Sequence, residues 1–420
     1  MPAARLDARF KQDTLYVFAE RETQLIRAWP DLTAVRKRNR AVRWQGFEPD
    51  YPLIRPYRPT RKPKLRIDAA SPQLTLDLVL PPDAPPPSAP RPRLTPAQRR
   101  KRAFDAFRFA CPKPVARRVE PFRGDHLPLL RLLRALGERG DLFDTNPALG
   151  YCLALAFRDR LAARQPEREQ WLDQLIELKQ SEIMARLGLP ASKRAVKAMA
   201  KIRPPSMSRE LAAGLKRLLG DDAALQVMGH LPALNLGVLT LLLDPQLRAL
   251  ATPVLFEAVL AEPQETYFPF TARRLADIQQ MADALGVDIS RRRFRERNRI
   301  DALFEDLARD YTRLEDGRLE GCRFPPPPVS ATDSIVPLRT PQALVEEGRK
   351  QHNCVAGYAE RVAGGDTYIY RVLAPQRATL SLVRWSGGGW QIGELLRAGN
   401  SPVSAATRRS VREWLENSRL

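Results

Sequence analysis

The sequence predicts a mainly α-helical protein that ends in a small α+β module. Residues 97–324 carry apolar side chains at helical spacing, with capping residues before many of these patterns and glycines after them. Residues 337–420 combine helical patterns with three short stretches of alternating apolar residues. Proline-rich linkers at 81–96 and 325–336 bound the helical region. We therefore expect an irregular helical domain followed by an ααβββα unit with an antiparallel three-stranded sheet.

The N-terminal region, residues 1–80, is predicted to hold one helix and a basic arm. Leu15, Phe18 and Ile26 lie close to helical spacing, which indicates an amphipathic helix over residues 10–29. Residues 36–66 are rich in Arg and Lys interrupted by aromatic side chains, a mixture that suits phosphate neutralisation and stacking on bases. An extended strap anchored by its aromatic residues is the alternative. The candidate nucleic-acid-binding residues here are Arg36, Lys37, Arg38, Arg40 and Arg43.

The helical region begins with Thr95 as N-cap and Pro96 at the first helical position. No repeat of fixed length is present, so we expect an irregular helical domain and not a solenoid. Helices are predicted over residues 96–106, 126–138, 147–164, 167–187, 192–202, 208–219, 223–228, 237–243, 245–261, 271–285 and 288–314.

Residues 291–299 form the densest positive segment of the chain and are predicted to lie at the start of a helix. Cations oppose the helix macrodipole there, so a counter-charge is expected. A nucleic-acid backbone would provide it, and so would Asp301, Glu305 and Asp306 on a solvated face. The candidate nucleic-acid-binding residues of this segment are Arg291, Arg292, Arg293 and Arg295.

The C-terminal module, residues 337–420, is predicted to start with two helices. Thr340 and Pro341 begin the first, which ends at Gly348, and Asn353 caps a second over residues 354–363. Strands follow over residues 367–373, 378–385 and 390–396, and a last helix covers residues 403–417. By the period-two rule, Glu394 lies on an otherwise apolar face of the third strand.

Candidate chemistry in this module centres on His352 and Cys354. A cysteine in the first turn of a helix faces free N–H groups, which lower its pKa and favour the thiolate. A Cys-His nucleophile pair oriented by Glu394 or Asn400 is therefore one hypothesis, with these four as candidate catalytic residues. The alternative is a small buried cysteine beside Val355, with His352 bonded to the backbone. A buried Glu394 would have a raised pKa, or would simply pair with Arg371 or Arg377.

Composition excludes several classes of site. The four cysteines, at positions 111, 152, 322 and 354, are scattered, so we expect no disulfide framework and no metal site. No phosphate-binding or dinucleotide fingerprint is present, and we expect no cofactor. The N-terminus lacks a signal-peptide pattern, and the most apolar run, residues 231–243, is too short to cross a bilayer. We expect a soluble cytoplasmic protein that does not bind membranes.

Net charge favours a polyanionic partner. The 69 Lys and Arg outnumber the 48 Asp and Glu, giving a formal net charge of +21. Such a protein is attracted to DNA or RNA without sequence preference. A high-GC genome, which enriches arginine, alanine and proline, is the alternative explanation.

Several motifs of the module occur together in one order: the helix end Glu346-Glu347-Gly348, the core His352-Asn353-Cys354-Val355 and the strand Ile392-Gly393-Glu394-Leu395. With Tyr358, Asn400 and Trp414, they resemble the PcfJ-like family, which is named for a component of a conjugative plasmid system. The resemblance covers about the last fifth of the chain, residues 337–420. Tyr358, Arg371 and Trp414 are the candidate structural or pocket residues of the module. The family commonly has Gln where this chain has Glu394.

Three functional hypotheses follow. The first is a nucleic-acid-associated accessory protein of a plasmid or mobile element, which the charge and the resemblance favour. The second is an enzyme centred on His352, Cys354, Glu394 and Asn400. The third is a protein-interaction scaffold whose charge reflects genome composition.

Overall fold

The computed structural model describes residues 7–19, 22–39, 41–49, 51–55, 94–160, 165–262, 270–316, 323–384 and 389–417. Along these residues the chain forms an N-terminal antiparallel sheet, a long series of helices and a C-terminal antiparallel sheet mixed with helices. The mainly helical prediction is thus confirmed in part, because the first sheet was not predicted.

Strands of an N-terminal sheet lie within residues 10–29, so the helix predicted there is wrong. The strands are β1 (Asp7–Lys11), β2 (Thr14–Phe18), β3 (Glu22–Arg27), β4 (Ala34–Arg38) and β5 (Gln45–Gly46). They lie in this order in the sheet, and all neighbours are antiparallel. In β2, Leu15 and Val17 are buried while the residues that alternate with them are half-buried, so the period is two. Gln12 and Asp13, both at positive φ, turn the chain between β1 and β2.

The inner face of this sheet packs against helix α1, Pro96–Phe109. Phe10 meets Phe107 edge to face, with ring centroids 6.4 Å apart. Tyr51, from the segment after β5, donates its hydroxyl proton to Gln24 Oε1 at 2.5 Å and packs against Phe104. The predicted cap of α1 is confirmed, because the Thr95 side chain accepts the Gln98 N–H. Residues 56–93, with Tyr57 and most of the predicted 81–96 linker, lie outside the described residues.

The helical region follows the predicted pattern in most places, but two short helices, Lys113–Val119 and Leu142–Thr145, were not predicted, and three predicted helices differ from those observed. Two helices stand where one was predicted over residues 167–187. The helix predicted over residues 245–261 is also divided, because Pro253 cannot continue a helix and instead starts a new one, for which Thr252 is the N-cap. The predicted 288–314 helix begins only at Arg297. The helices after α1 are α2 (Lys113–Val119), α3 (His126–Leu136), α4 (Leu142–Thr145), α5 (Pro147–Asp159), α6 (Gln165–Ile176), α7 (Gln180–Arg186), α8 (Lys193–Ala200), α9 (Arg209–Gly220), α10 (Asp222–His230), α11 (Leu236–Leu243), α12 (Pro245–Leu250), α13 (Pro253–Leu260), α14 (Phe270–Leu285) and α15 (Arg297–Asp316).

The C-terminal sheet has five strands in the order β10-β9-β8-β7-β6, so the predicted three-stranded sheet is too small. The three predicted strands are present as β7, β8 and β9. The extra edge strand β6 comes from residues assigned to the proline-rich linker, and Val336 pairs with Arg371. The elements are β6 (Ile335–Pro337), α16 (Pro341–Gln351), α17 (Ala359–Ala363), β7 (Thr367–Val372), β8 (Ala378–Arg384), β9 (Trp390–Arg397), β10 (Ser401–Pro402) and α18 (Ala405–Asn417).

Helices cover both faces of this sheet. On one face Trp414 of α18 packs edge to face on Tyr370, with ring centroids 5.1 Å apart. The other face meets α16, which continues past Gly348 to Gln351, beyond its predicted end. His352 then ends α16 in the left-handed conformation. A 3-10 turn, Val355–Tyr358, and α17 stand where one helix over residues 354–363 was expected.

Within the described residues, no helix combines the length and the apolar character needed to span a membrane.

Candidate functional site

A polar cluster forms where α14, the 3-10 turn and β9 meet. Arg273 and Asp277 are one helical turn apart on α14, and the 3-10 turn brings Cys354 and Tyr358 to them. Glu394 of β9 completes the group. Elements that are far apart in the sequence therefore converge on one place, at the contact between the helical region and the C-terminal sheet.

A β-bulge directs Glu394 into this cluster. Ile392 pairs with Leu382 but Glu394 pairs with Ser381, so Gly393 is the extra residue. Residues that pair across strands share a face. Glu394 therefore lies on the opposite face from Ile392, and the prediction that both share one face is wrong. A Cβ at Gly393 would lie 2.8 Å from both Ser381 Oγ and Val383 Cγ1, so this position has no room for a side chain.

Arg273 lies at the centre of the cluster, between two carboxylates. Its Nε atom is 3.2 Å from Asp277 Oδ1 and 3.6 Å from Glu394 Oε1. Its Nη2 donates a hydrogen bond to the Tyr358 hydroxyl at 3.2 Å, and that hydroxyl donates to Glu394 Oε2 at 3.2 Å. The Arg273 side chain as a whole is 41% exposed while its Nε atom is buried, so solvent reaches only one side of the cluster.

Burial and neighbouring negative charge raise the pKa values of the acidic side chains in this cluster. Burial raises the pKa of Asp277 to about 7; Glu394 adds to this rise, and Arg273 opposes it. The pKa of the Cys354 thiol is raised well above its usual value, first by burial and then by Asp277 and Glu394. The pKa of Tyr358 is raised by burial as well. Of the two alternatives for Cys354, the raised pKa contradicts the activated thiolate and agrees with the buried cysteine, because burial and two carboxylates disfavour the charged form.

The chemistry that this arrangement can support is proton transfer. A carboxyl group with a pKa near neutrality can give or take a proton at ordinary pH. Cys354, by contrast, stays a protonated thiol there. Among the described residues, no group of three or more His, Cys, Asp and Glu side chains is arranged to hold a metal ion.

The four candidate catalytic residues are not all brought together. Cys354 and Glu394 lie in the cluster. His352 is solvent-exposed, and Asn400 is half-buried at positive φ in a 3-10 turn after β9. Within the described part of the chain, neither His352 nor Asn400 forms a hydrogen bond or an ion pair with Arg273. The catalytic role of all four stays a prediction.

A second buried network surrounds Glu347 of α16, which meets the same face of the C-terminal sheet as Glu394. Its side chain is fully buried and accepts hydrogen bonds from Arg371 Nε at 2.8 Å, Arg377 Nη2 at 2.5 Å and Thr379 Oγ1 at 2.9 Å. Thr379 also accepts a bond from Asn353 Nδ2 at 3.2 Å. Arg371 and Arg377 therefore pair with Glu347, whereas Glu394 pairs with Arg273.

Arg273, Asp277 and Glu347 were missed from the sequence. The Arg273-Asp277 pair has the i,i+4 spacing of a helical ion pair, and Glu347 belongs to the helix-end motif. Such pairs are usually solvated, so spacing alone did not mark them as buried.

The basic residues of β4 are divided between the two faces of the N-terminal sheet. Arg36 and Arg38 share the inner-facing side with Gln24 and Glu22, whereas Lys37 points to the outer side with Thr23. Arg36 lies 3.8 Å from Glu22 and 5.7 Å from the Phe47 ring centroid. Arg43 and Trp44 are exposed, and Arg40 lies outside the described residues.

Residues 291–296 form a basic loop before α15 and not the start of a helix. Phe294 anchors it: its side chain is 4% exposed, its N–H donates to Leu250 O at 2.8 Å, and its carbonyl accepts from Thr252 Oγ1 at 2.7 Å. Around this anchor Arg291, Arg292, Arg293 and Arg295 are solvent-exposed. Of the arginines in residues 291–299, only Arg297 and Arg299 lie within the helix, so only their charges oppose its macrodipole.

The first residue of α15 has the counter-charge that was expected. Arg297 lies 3.7 Å from Asp301 and 3.9 Å from the Phe270 ring centroid. Asp301 also pairs with Arg274, whose side chain is 3% exposed, at 2.7 Å. Protein groups therefore neutralise the helix start, and the loop arginines before it remain on the surface.

A cavity of about 560 Å³ lies elsewhere, between the β3–β4 connection and α3. Its arginines are used by the fold, since Arg131 Nε donates to Leu32 O at 2.8 Å and Arg134 Nη1 donates to Pro30 O at 2.5 Å. The residues that line this cavity include none of the predicted site residues.

Residues 275–384 match the family model of PcfJ-like proteins, so the chain contains a PcfJ-like domain. The match begins inside α14, earlier than the module predicted at residues 337–420, and includes the basic loop. Asp277, Cys354 and Tyr358 fall within it, whereas Arg273 and Glu394 lie just outside. No curated protein and no solved structure gives a significant match to the chain.

Proposed function

We propose that the protein binds nucleic acid without sequence preference, through phosphate contacts made by the basic loop of residues 291–296. The observation that supports this most directly is the anchored loop, in which a buried Phe294 holds four neighbouring arginines at the surface. Arginine suits this role, because its planar guanidinium donates two parallel hydrogen bonds to phosphate oxygens.

Local charge balance supports the same proposal. Residues 291–299 contain six arginines and a single acidic residue, Glu296. The exposed arginines project from a loop fixed at both sides of Phe294, so little ordering entropy is lost when phosphates bind. The resemblance to PcfJ-like proteins implies the setting of this binding, as an accessory protein of a plasmid or mobile element.

The test compares two triple variants that remove the same charge. The loop variant combines Arg291→Gln, Arg292→Gln and Arg295→Gln. It keeps Arg293, which donates hydrogen bonds to the carbonyls of Ser290 and Arg292. Lys193→Gln, Arg194→Gln and Lys197→Gln act on three exposed cations of α8. Binding of a fluorescent DNA duplex is measured by anisotropy over a range of salt concentrations.

We expect the loop variant to bind more weakly and its log affinity to fall less steeply with log salt, by about 0.9 per lost phosphate contact. The α8 variant should change both quantities much less. Equal effects of the two triples would mean that total charge and not the loop governs binding. Absence of wild-type binding at low salt would rule out the proposal.

A further inference from the structure

The outer face of the N-terminal sheet carries two parallel aromatic rings. In β2, Tyr16 and Phe18 alternate with the buried Leu15 and Val17, so both rings point away from α1. The ring centroids are 6.4 Å apart and the planes differ by 14°. Both residues are half-buried, like their neighbours Leu25 and Val35 on the same face. We call this surface, centred on Tyr16 and Phe18, the outer sheet face.

Positive side chains surround the rings. The strand register places Arg9 beside Tyr16, and Lys37 in the same row as Phe18. Arg9 Cζ lies 5.9 Å from the Phe18 ring centroid, and its side chain is 69% exposed. Lys11 and Arg27 flank Thr14 in the next row, and both are exposed.

Two acidic residues beside this face, Asp7 and Asp31, are paired with arginines. Asp7 lies 3.2 Å from Arg99 Nε and 3.9 Å from Arg9, and Asp31 lies 2.8 Å from Arg27. Within the described residues, Lys11 and Lys37 take part in no ion pair. The outer sheet face is thus aromatic at its centre and positive around its edge.

We infer that the outer sheet face binds single-stranded nucleic acid, with Tyr16 and Phe18 stacking on unpaired bases and Arg9, Lys11 and Lys37 contacting the backbone. This inference rests on the proposed function and specifies a substrate class. Aromatic rings on a sheet surface stack on splayed bases whatever their sequence, while nearby cations neutralise phosphates. Bases in a duplex are stacked on each other, and a flat sheet face does not enter a groove, so the face should discriminate against duplex.

The test uses the full chain and a double variant, Tyr16→Leu with Phe18→Leu, which keeps apolar side chains on the sheet and removes the flat rings. A second double variant, Tyr16→Phe with Phe18→Tyr, keeps both rings and serves as the matched control. Probes are oligothymidylate and oligouridylate of about 20 nucleotides and a DNA duplex of the same length. Circular dichroism and melting temperature check that each variant is folded.

We expect the leucine variant to bind single strands about tenfold more weakly while its affinity for duplex stays unchanged. The ring-retaining variant should bind like wild type. The ratio between the two single-stranded probes reports whether DNA or RNA is preferred, and either preference supports the inference.

Several results would overturn it. If the leucine variant binds single strands like wild type, or loses duplex binding equally, the outer sheet face is not a base-stacking surface, and the proposed function of the basic loop still stands. If the variant instead changes the oligomeric state in light scattering without a selective loss of single-strand binding, the face is a contact between copies. If wild type binds none of the three probes, both the inference and the proposed function fail.

Discussion

The two buried charge clusters on one side of the C-terminal sheet have opposite charge ratios. Glu347 is one carboxylate for two arginines, Arg371 and Arg377, and Thr379 bonds to its other oxygen. Asp277 and Glu394 are two carboxylates for one arginine, Arg273. The first cluster has a hydrogen-bond partner on each oxygen of its acid. In the second, burial raises the pKa of Asp277 to about 7, and the neighbouring Glu394 adds to the rise that Arg273 opposes.

This difference indicates what each cluster can do. The Glu347 carboxylate, held by two guanidinium groups and a hydroxyl, fixes α16 against β7 and β8. A carboxyl group near its pKa at neutral pH can change protonation state with little cost. Among the described residues, the cluster around Arg273 is therefore the place where proton transfer or pH-dependent binding would be centred.

The largest expected effect comes from breaking the Glu347 network. Glu347→Gln leaves two partly buried arginines without a carboxylate, so the free energy of unfolding should fall by about 3–5 kcal/mol. Chemical denaturation measures this loss. Glu346→Gln is the matched control, because Glu346 is the adjacent residue and pairs only at the surface, 3.9 Å from Lys350. Similar losses for the two variants would show that the buried network contributes no more than a surface pair.

The Asp277 prediction concerns pH. The folded protein keeps a proton on Asp277 up to about pH 7, whereas the unfolded chain loses it near the ordinary aspartate pKa of 3.8. The folded state thus binds more protons in this window, and the free energy of unfolding falls as pH rises through it. Asp277→Asn removes this dependence. Relative to wild type, the variant should gain about 1–3 kcal/mol between about pH 4 and about pH 7.5.

Denaturation at both ends of that pH range measures the gain. Asp283→Asn, an exposed position on the same helix, is the control and should follow wild type. A difference between Asp277→Asn and wild type that is the same at both pH values would show that the pKa of Asp277 is ordinary.

Local signals in the sequence were sufficient for part of this structure. The cap at Thr340, the three strands β7, β8 and β9, and most of the helices depend on neighbouring residues, and they were predicted. The first sheet was not, because Leu15, Phe18 and Ile26 fit a helical period while Leu15 and Val17 fit a period of two. Only pairing between strands decides between these patterns.

The site depends on contacts that no local pattern contains. Arg273 and Tyr358 are 85 positions apart, and Glu347 and Arg377 are 30 apart. The orientation of Glu394 depends on the bulge at Gly393, which inverts the face that simple alternation assigns. The acidic Glu394 in an apolar strand was a useful signal in the sequence. Its partner, Arg273, and the sheet face that it occupies became visible only in the structure.

The smallest expected effect tests whether excess negative charge in the Arg273 cluster holds Cys354 as a thiol. Glu394→Gln removes one of the two carboxylates that raise the pKa of Cys354, and the amide oxygen can still accept the Tyr358 hydrogen bond. The thiolate fraction at neutral pH should therefore rise, and alkylation of Cys354 should be about threefold faster.

Peptide mass spectrometry after timed iodoacetamide treatment reports Cys354 separately from Cys111 and Cys152, whose pKa values burial raises to about 12. Glu360→Gln changes an exposed carboxylate on the neighbouring α17 and should leave the rate unchanged. An unchanged rate in Glu394→Gln would mean that burial alone suppresses the thiolate, and a wild-type rate equal to that of a free thiol would contradict the raised pKa itself.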